Sequence, residues 1–307
     1  MAEADSCMTE HRRLPDFIAV GPQRTGTTWL HKVLAGHAGL PSTKETDFFL
    51  KNFDRGCDWY LAFFEACPSA APMGEIDPNY FGASVARERI AAMLPQCKIV
   101  VSLRDPTERA WSSYRTMRRD AWTRAGFEDT VMRSEIIRES SRYAFHLANW
   151  QRDFGLDQVL TCLYDDLEAD PQAYLDRICE FIGAPQITVS GTAAATERVN
   201  TVVEAPRSRK LAQSARDARD WLAMHRWNRA SHALERLGVW RFAFAGGQEF
   251  GAIDPAAEAR LREYFLPEVE ELEALIGRDL EAWKRPRPHP GRNADASAPN
   301  RARGAGA

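Results

Sequence analysis

The stretch FIAVGPQRTGTTWLHKVLAGH, residues 17–37, constrains this chain more than any other. Phe17, Ile18, Ala19 and Val20 form an apolar run of strand-formers closed by Gly21-Pro22, which predicts a short buried strand. Leu30, Val33 and Leu34 recur at helical spacing behind Thr27 and Thr28, so a helix opens there. Between the two lies Pro22-Gln23-Arg24-Thr25-Gly26. A strand, a tight glycine-containing loop and a helix N-terminus together make an anion site. The first-turn N–H groups point into the loop, and the helix dipole adds partial positive charge. Gly26 allows close backbone approach, Thr25, Thr27 and Thr28 add hydroxyls, and Arg24 adds a cation. A plain strand–turn–helix connection would also tolerate Gly21 and Gly26, but it has no use for that cation and three threonines.

The spacing of Gly21 and Gly26 is that of the P-loop, G-x-x-x-x-G-K-[ST]. Thr27 stands where the lysine belongs, and the cation has moved into the loop at Arg24. Without that lysine a nucleoside-triphosphate hydrolase loses its grip on the β- and γ-phosphates. The loop therefore suits a phosphate but not ordinary ATP chemistry. A second strand follows at KIVVSL, residues 98–103, apolar enough to be covered on both faces. It delivers Arg104 where P-loop enzymes place a metal-holding Asp. Asp105-Pro106 then starts a helix, with a cap followed by proline in the first turn. Ser112 lies eight residues beyond Arg104, about two turns into that helix. From the residues alone, Arg104 either meets an anion or makes a structural ion pair.

GPQRTGTTWL resembles the loop with which sulfotransferases bind the 5′-phosphosulfate of PAPS (3′-phosphoadenosine 5′-phosphosulfate). RDPTERAWS, residues 104–112, resembles their R-D-P-x-x-R-x-x-S motif for the 3′-phosphate. KETDFF, residues 44–49, resembles the K-E-x-x-F-F segment of the heparan-sulfate-like branch. Asp58-Trp59-Tyr60 with Phe63-Phe64 resembles its D-W-Y-x-x-F-F, whose aromatics read as core. GRDLEAW, residues 277–283, is similar to the closing motif of bacterial members. The resemblance implies a P-loop-like, three-layer α/β fold, a mostly parallel sheet flanked by helices. A single domain would span 15–284, between a flexible N-terminus at 1–14 and a disordered tail at 285–307 rich in Pro, Arg, Ala, Gly and Asn.

The same resemblance implies roles. Arg24, Thr25, Gly26, Thr27, Thr28 and Trp29 would surround the phosphosulfate, Arg104 and Ser112 the 3′-phosphate, and Tyr164 of YDDL the adenine. Arg207 and Arg209, with Lys210, form either a solvated basic turn or a strap over the phosphates. Glu45 falls at the position of the proposed catalytic base, although most loop glutamates are simply exposed. Arg24, where the family usually has lysine, would stabilise charge on the sulfuryl oxygens and the departing phosphate. The branch usually has E-K-[ST] where this chain has Glu75-Ile76-Asp77, so one expected cation is missing. Asp77 and Asn79 either face an acceptor or shape the turn around Pro78. The implied reaction moves a sulfuryl group from PAPS to a hydroxyl or amine of a small-molecule, carbohydrate or lipid acceptor. It needs no metal. Two rivals are a divergent P-loop nucleotide or nucleoside kinase and a non-catalytic nucleotide-binding protein of the same fold.

A net charge of −3 over 307 residues does not point to a nucleic-acid binder or a strongly basic groove for long polyanions. The six cysteines are scattered, without C-x-x-C, and read as thiols of a cytoplasmic protein. No segment is apolar enough to span a membrane, and residues 1–15 lack the apolar stretch of a signal peptide. Residues 187–219 read as a long loop running into a helix. Asp254-Pro255 starts a last helical region, which Pro267 is expected to break.

Overall fold

A computed structural model of the chain describes residues 13–68, 70–192, 204–224 and 233–286. The expected flexible N-terminus at 1–14 and disordered tail at 285–307 lie almost wholly outside them. In chain order the elements that matter here are β1 (Phe17–Val20), α1 (Thr27–Leu34), β2 (Gly74–Ile76), α2 (Ser84–Met93), β3 (Lys98–Leu103), α3 (Pro106–Arg119), α4 (Tyr143–Phe154), β4 (Val159–Leu163), α5 (Tyr164–Ala169), α6 (Pro171–Ile182), β5 (Glu204–Pro206), α7 (Arg209–Met224), β6 (Gly246–Glu249) and α8 (Pro255–Ile276).

The first four strands form one parallel sheet in the order β2-β1-β3-β4. Side chains alternate across it. Ile18, Val20, Ile99 and Val101 enter a core with Ile90 and Met93 of α2 and Leu147 and Trp150 of α4. Phe17, Ala19 and Val100 enter a second core with Leu30, Val33 and Leu34 of α1 and Leu175 and Ile178 of α6. Both faces are thus covered by helices, as an all-parallel sheet requires. The chain leaves β1 toward β2 on one side, then crosses back to β3 on the other. Open α/β sheets bind ligands at such a reversal, beyond the carboxyl ends of the strands.

Two expectations about elements need correction. The helix α8 runs unbroken through Pro267. An interior proline costs about 3 kcal/mol. Leu261, Phe265, Val269 and Leu272 are each almost fully buried, and each such side chain stabilises by about 1.5–3 kcal/mol, so their packing offsets the cost. The long polar segment contains β5, which pairs antiparallel with β6 in a separate two-stranded sheet before α7 begins. Its residues 193–203 lie outside the described ones. The cysteines differ as well. Cys67, Cys97, Cys162 and Cys179 are free, but Cys57 is disulfide-bonded, and Cys7 lies outside the described residues. Disulfides persist mainly in oxidising compartments, so the cytoplasmic expectation loses the support it drew from six thiols. Among the described residues, no helix is long and apolar enough to cross a membrane.

Candidate active site

The loop after β1 is held from below by β3. Gly21 has φ +144, and a Cβ there would lie 2.5 Å from the Ser102 carbonyl oxygen, so only glycine permits this approach. The Ser102 hydroxyl donates to the Thr25 carbonyl at 2.7 Å, and the Thr25 hydroxyl donates to the Pro22 carbonyl at 2.8 Å. Thr25 is fully buried, so its hydroxyl closes the loop rather than facing outward. Gly26 caps α1 with φ +94, and the space beside it is filled by Leu167 and Tyr164 of α5. Arg24 also takes a positive φ, 78°, at a non-glycine position. Such a backbone costs on the order of 1–3 kcal/mol and persists where surrounding structure enforces it.

That conformation turns Arg24 toward the second motif. Its Nε donates to the Ser112 hydroxyl at 2.9 Å, joining residues 88 apart in sequence. The Arg104 guanidinium lies 4.4 Å over the Tyr164 ring. Burial, reinforced by Arg119, Arg104 and Arg115 and opposed by Asp120, holds the Arg24 guanidinium down to about 10. Nε of Arg115 is buried without a partner. Three further guanidinium groups therefore lie close enough to act on Arg24, Arg119 being paired with Asp120 at 2.7 Å, an arrangement that suits a multiply charged anion with planar, forked donors. The motif's second arginine, Arg109, plays no part in that cluster. It is buried and donates to the Tyr143 hydroxyl at 2.9 Å, which donates to the Arg104 carbonyl at 2.8 Å. Arg109 thus positions Arg104 through Tyr143.

The Lys44-Glu45 segment returns to the other side of the loop. Lys44 Nζ lies 2.9 Å from Glu45 Oε1 and donates to the Thr28 hydroxyl at 3.0 Å. Burial, then the Lys44 charge, lowers the His31 imidazole, with Glu45 opposing. Beneath this segment lie two carboxyls from β2 and its end. Glu75, wholly buried, accepts from the Thr46 amide at 2.9 Å, the Thr46 hydroxyl at 2.5 Å and the Tyr60 hydroxyl at 3.0 Å. Asp77 accepts from the Asp47 amide at 3.1 Å and the Asn79 amide at 2.9 Å, so it shapes the turn. Ile76 between them is buried against β1 and α1, deep in the core.

Burial pushes Glu75 up to about 7 and Asp77, also beside Glu75, up to about 8. The folded chain therefore keeps protons here that the unfolded chain releases. The stability these groups contribute is full below the ordinary carboxylate range and is lost as pH rises through about 7 to 8. His31 and His146 are lowered by burial and titrate in the opposite sense. The quantity to measure is therefore the melting temperature of Glu75→Gln minus that of wild type. It should rise from about pH 5 to about pH 8, because the amide stays neutral. A flat difference would mean that Glu75 is already ionised at acid pH.

Residues 54–188 match the family model described as "Sulfotransferase family". The chain is 33% identical over 195 residues to human bifunctional heparan sulfate N-deacetylase/N-sulfotransferase 3, a match covering 56% of this chain and 22% of that protein. It is 32% identical over 202 residues to human bifunctional heparan sulfate N-deacetylase/N-sulfotransferase 2, with the same coverage. The match thus spans about a fifth of the length of these relatives. The fold is that of the crystal structure of a sulfotransferase from Alicyclobacillus acidocaldarius, with a TM-score of 0.64, 21% identity, and coverage of 89% of this chain and 100% of that one.

In the structure Arg24, Gly26, Arg104, Ser112 and Tyr164 come together, and Thr28 meets Lys44, which pairs with Glu45. Other residues singled out in the sequence lie elsewhere. Trp29 is buried edge-on to Tyr174 in the core. Arg209 donates to the carbonyls of Ala121 and Thr123, both at 2.9 Å, and so fastens α7 to the end of α3. Arg207 donates to the Gly246 carbonyl across the β5–β6 hairpin. Arg115 and Arg119 did not stand out in the sequence, yet Ser112, Arg115 and Arg119 share one helical face at i, i+3 and i+7. That spacing was the available signal. Next to Tyr164 in sequence, Asp165 accepts from Trp283 Nε1 at 2.9 Å and Asp166 pairs with Arg278 at 2.6 Å.

Proposed function

We propose that the chain is a PAPS-dependent sulfotransferase, moving the sulfuryl group to a hydroxyl or amine of a small-molecule, sugar or lipid acceptor and releasing 3′,5′-ADP (PAP). The observation that carries this reading is the Arg24–Ser112 contact, which joins the two phosphate motifs into one cationic site. The first-turn N–H groups of α1 suit the 5′-phosphosulfate. Arg104 and Ser112, with Arg115 beside them, suit the 3′-phosphate, and the Tyr164 ring suits an aromatic base. Glu45 takes the proton of the acceptor as it attacks sulfur in line. Donors fixed in advance around the phosphosulfate stabilise the charge that develops there. The domain that does this spans residues 15–284, and the transfer needs no metal.

Calorimetry with nucleotides tests it. PAP should bind tightly with or without EDTA, and 5′-AMP far more weakly. Arg104→Ala should weaken PAP by about 1.5–3 kcal/mol, the range for a hydrogen bond to a charged group. It should barely affect 5′-AMP, which lacks the 3′-phosphate. If both ligands weaken alike, Arg104 is a structural residue. Binding that requires a metal, or equal affinity for ADP and PAP, would favour the kinase reading. PAP binding without turnover of any acceptor would favour a non-catalytic nucleotide-binding protein.

A further inference from the structure

We propose that Lys44, rather than Arg24, is the cation that meets the transferred sulfuryl group. The proposal rests on the sulfotransferase reading above. The loop's own cation faces the other way: Arg24 Nε is on Ser112, among Arg104, Arg115 and Arg119. On β2 no cation reaches the loop either, because Ile76 is 0% exposed and packed in the core. Lys44 does reach the loop helix. Its Nζ lies 3.0 Å from the hydroxyl of Thr28, the second residue of α1, and 2.9 Å from Glu45. It therefore sits at the rim of the N–H groups that attract an anion. Its side chain is about one-third exposed, at 34%, so the ammonium can shift by the length of a hydrogen bond without leaving a packed environment. An ammonium carries three donors on a flexible stem, enough to hold Thr28 and still reach a sulfuryl oxygen.

The step balances without any further reactant. A bond forms between the acceptor oxygen or nitrogen and sulfur. The bond from sulfur to the bridging oxygen breaks, and its electron pair leaves on the 5′-phosphate of PAP. The acceptor proton passes to Glu45. Lys44 stays protonated throughout and donates hydrogen bonds to the sulfuryl oxygens. Drawing the ammonium toward the donor also loosens its hold on Glu45, so the base is freed when the donor is in place.

Calorimetry with PAP and PAPS on wild type, Lys44→Ala and Lys44→Arg separates the outcomes. Lys44→Ala should weaken PAPS about tenfold or more while PAP, which lacks the sulfuryl group, stays within about twofold. Lys44→Arg should recover most of the loss. PAP affinity itself reports that the variant is folded. Equal losses for both ligands would make Lys44 a prop of the loop, and no loss for either would place the sulfuryl cation elsewhere. Either result overturns the proposal. A fully active Glu45→Gln enzyme beside a Lys44→Ala variant that loses PAPS would overturn the base assignment alone. Wild type that binds neither ligand would overturn the donor reading, and this proposal with it.

Discussion

Glu45→Gln is expected to lower turnover of an alcohol acceptor by roughly 10²–10⁴-fold, the usual contribution of a positioned general base. PAP affinity should hardly change, because Glu45 lies on the Lys44 side of the loop and the arginine cluster lies on the Ser112 side. The amide keeps an oxygen for Lys44, so the variant loses proton acceptance while keeping the contact seen at 2.9 Å. The two amides that Glu75 and Asp77 hold, Thr46 and Asp47, are untouched, so the segment keeps its course. An acceptor that is already ionised, such as a low-pKa phenol, should suffer much less. A uniform small loss with both acceptors would make Glu45 a surface residue. His31, one turn along α1 and close to the Lys44–Glu45 pair, would then be the next base to test.

Arg262→Met should cost about 3–5 kcal/mol of stability, the range for removing one partner of a buried ion pair. Arg262 on α8 is 3% exposed and reaches Asp105 at 3.0 Å and Glu258 at 3.1 Å, both carboxylates being 0% exposed. Its loss removes the guanidinium from two buried carboxylates. The same Asp105 caps α3 through the amides of Thr107 and Glu108 and immediately follows Arg104. PAP binding should therefore fall along with stability. Thermal unfolding should shift by on the order of 10 °C for a chain of this size. A shift below a few degrees would mean that water or other groups compensate the two carboxylates.

Much of the architecture could be read in advance because it rests on local patterns. Strand β1, the loop and α1 declare themselves through an apolar run, a turn and a 3.6-residue period. Strand β3 and the Asp105-Pro106 start of α3 do so in the same way. The aromatics Phe48, Phe49, Tyr60 and Phe64 are core, as their types suggest. What escaped depends on three-dimensional placement. Nothing in a string of letters turns Arg24 away from its own loop, since that follows from a positive φ and from the position of α3. Trp29 looked like a site residue because it follows Thr28 in the motif, but the helix period carries it to the core side. Pro267 looked like a helix end because the cost of proline is local, whereas the packing that offsets it is not. The tie from Arg209 to the end of α3 spans 88 residues in one of its bonds and leaves no local trace.

The last described segment also bears on the order in which the molecule can be assembled. All four strands of the parallel sheet have been synthesised once residue 163 is made. Asp105, however, waits 157 residues for Arg262, Asp166 waits 112 for Arg278, and Asp165 waits 118 for Trp283. Contacts this distant carry a large loop-closure cost and tend to form late. A growing chain would thus hold a paired sheet while the acidic groups beside Arg104 and Tyr164 still lack their partners. Acquisition of nucleotide affinity should then mark the final docking event of folding, lagging behind the appearance of β structure when refolding is followed by both signals at once.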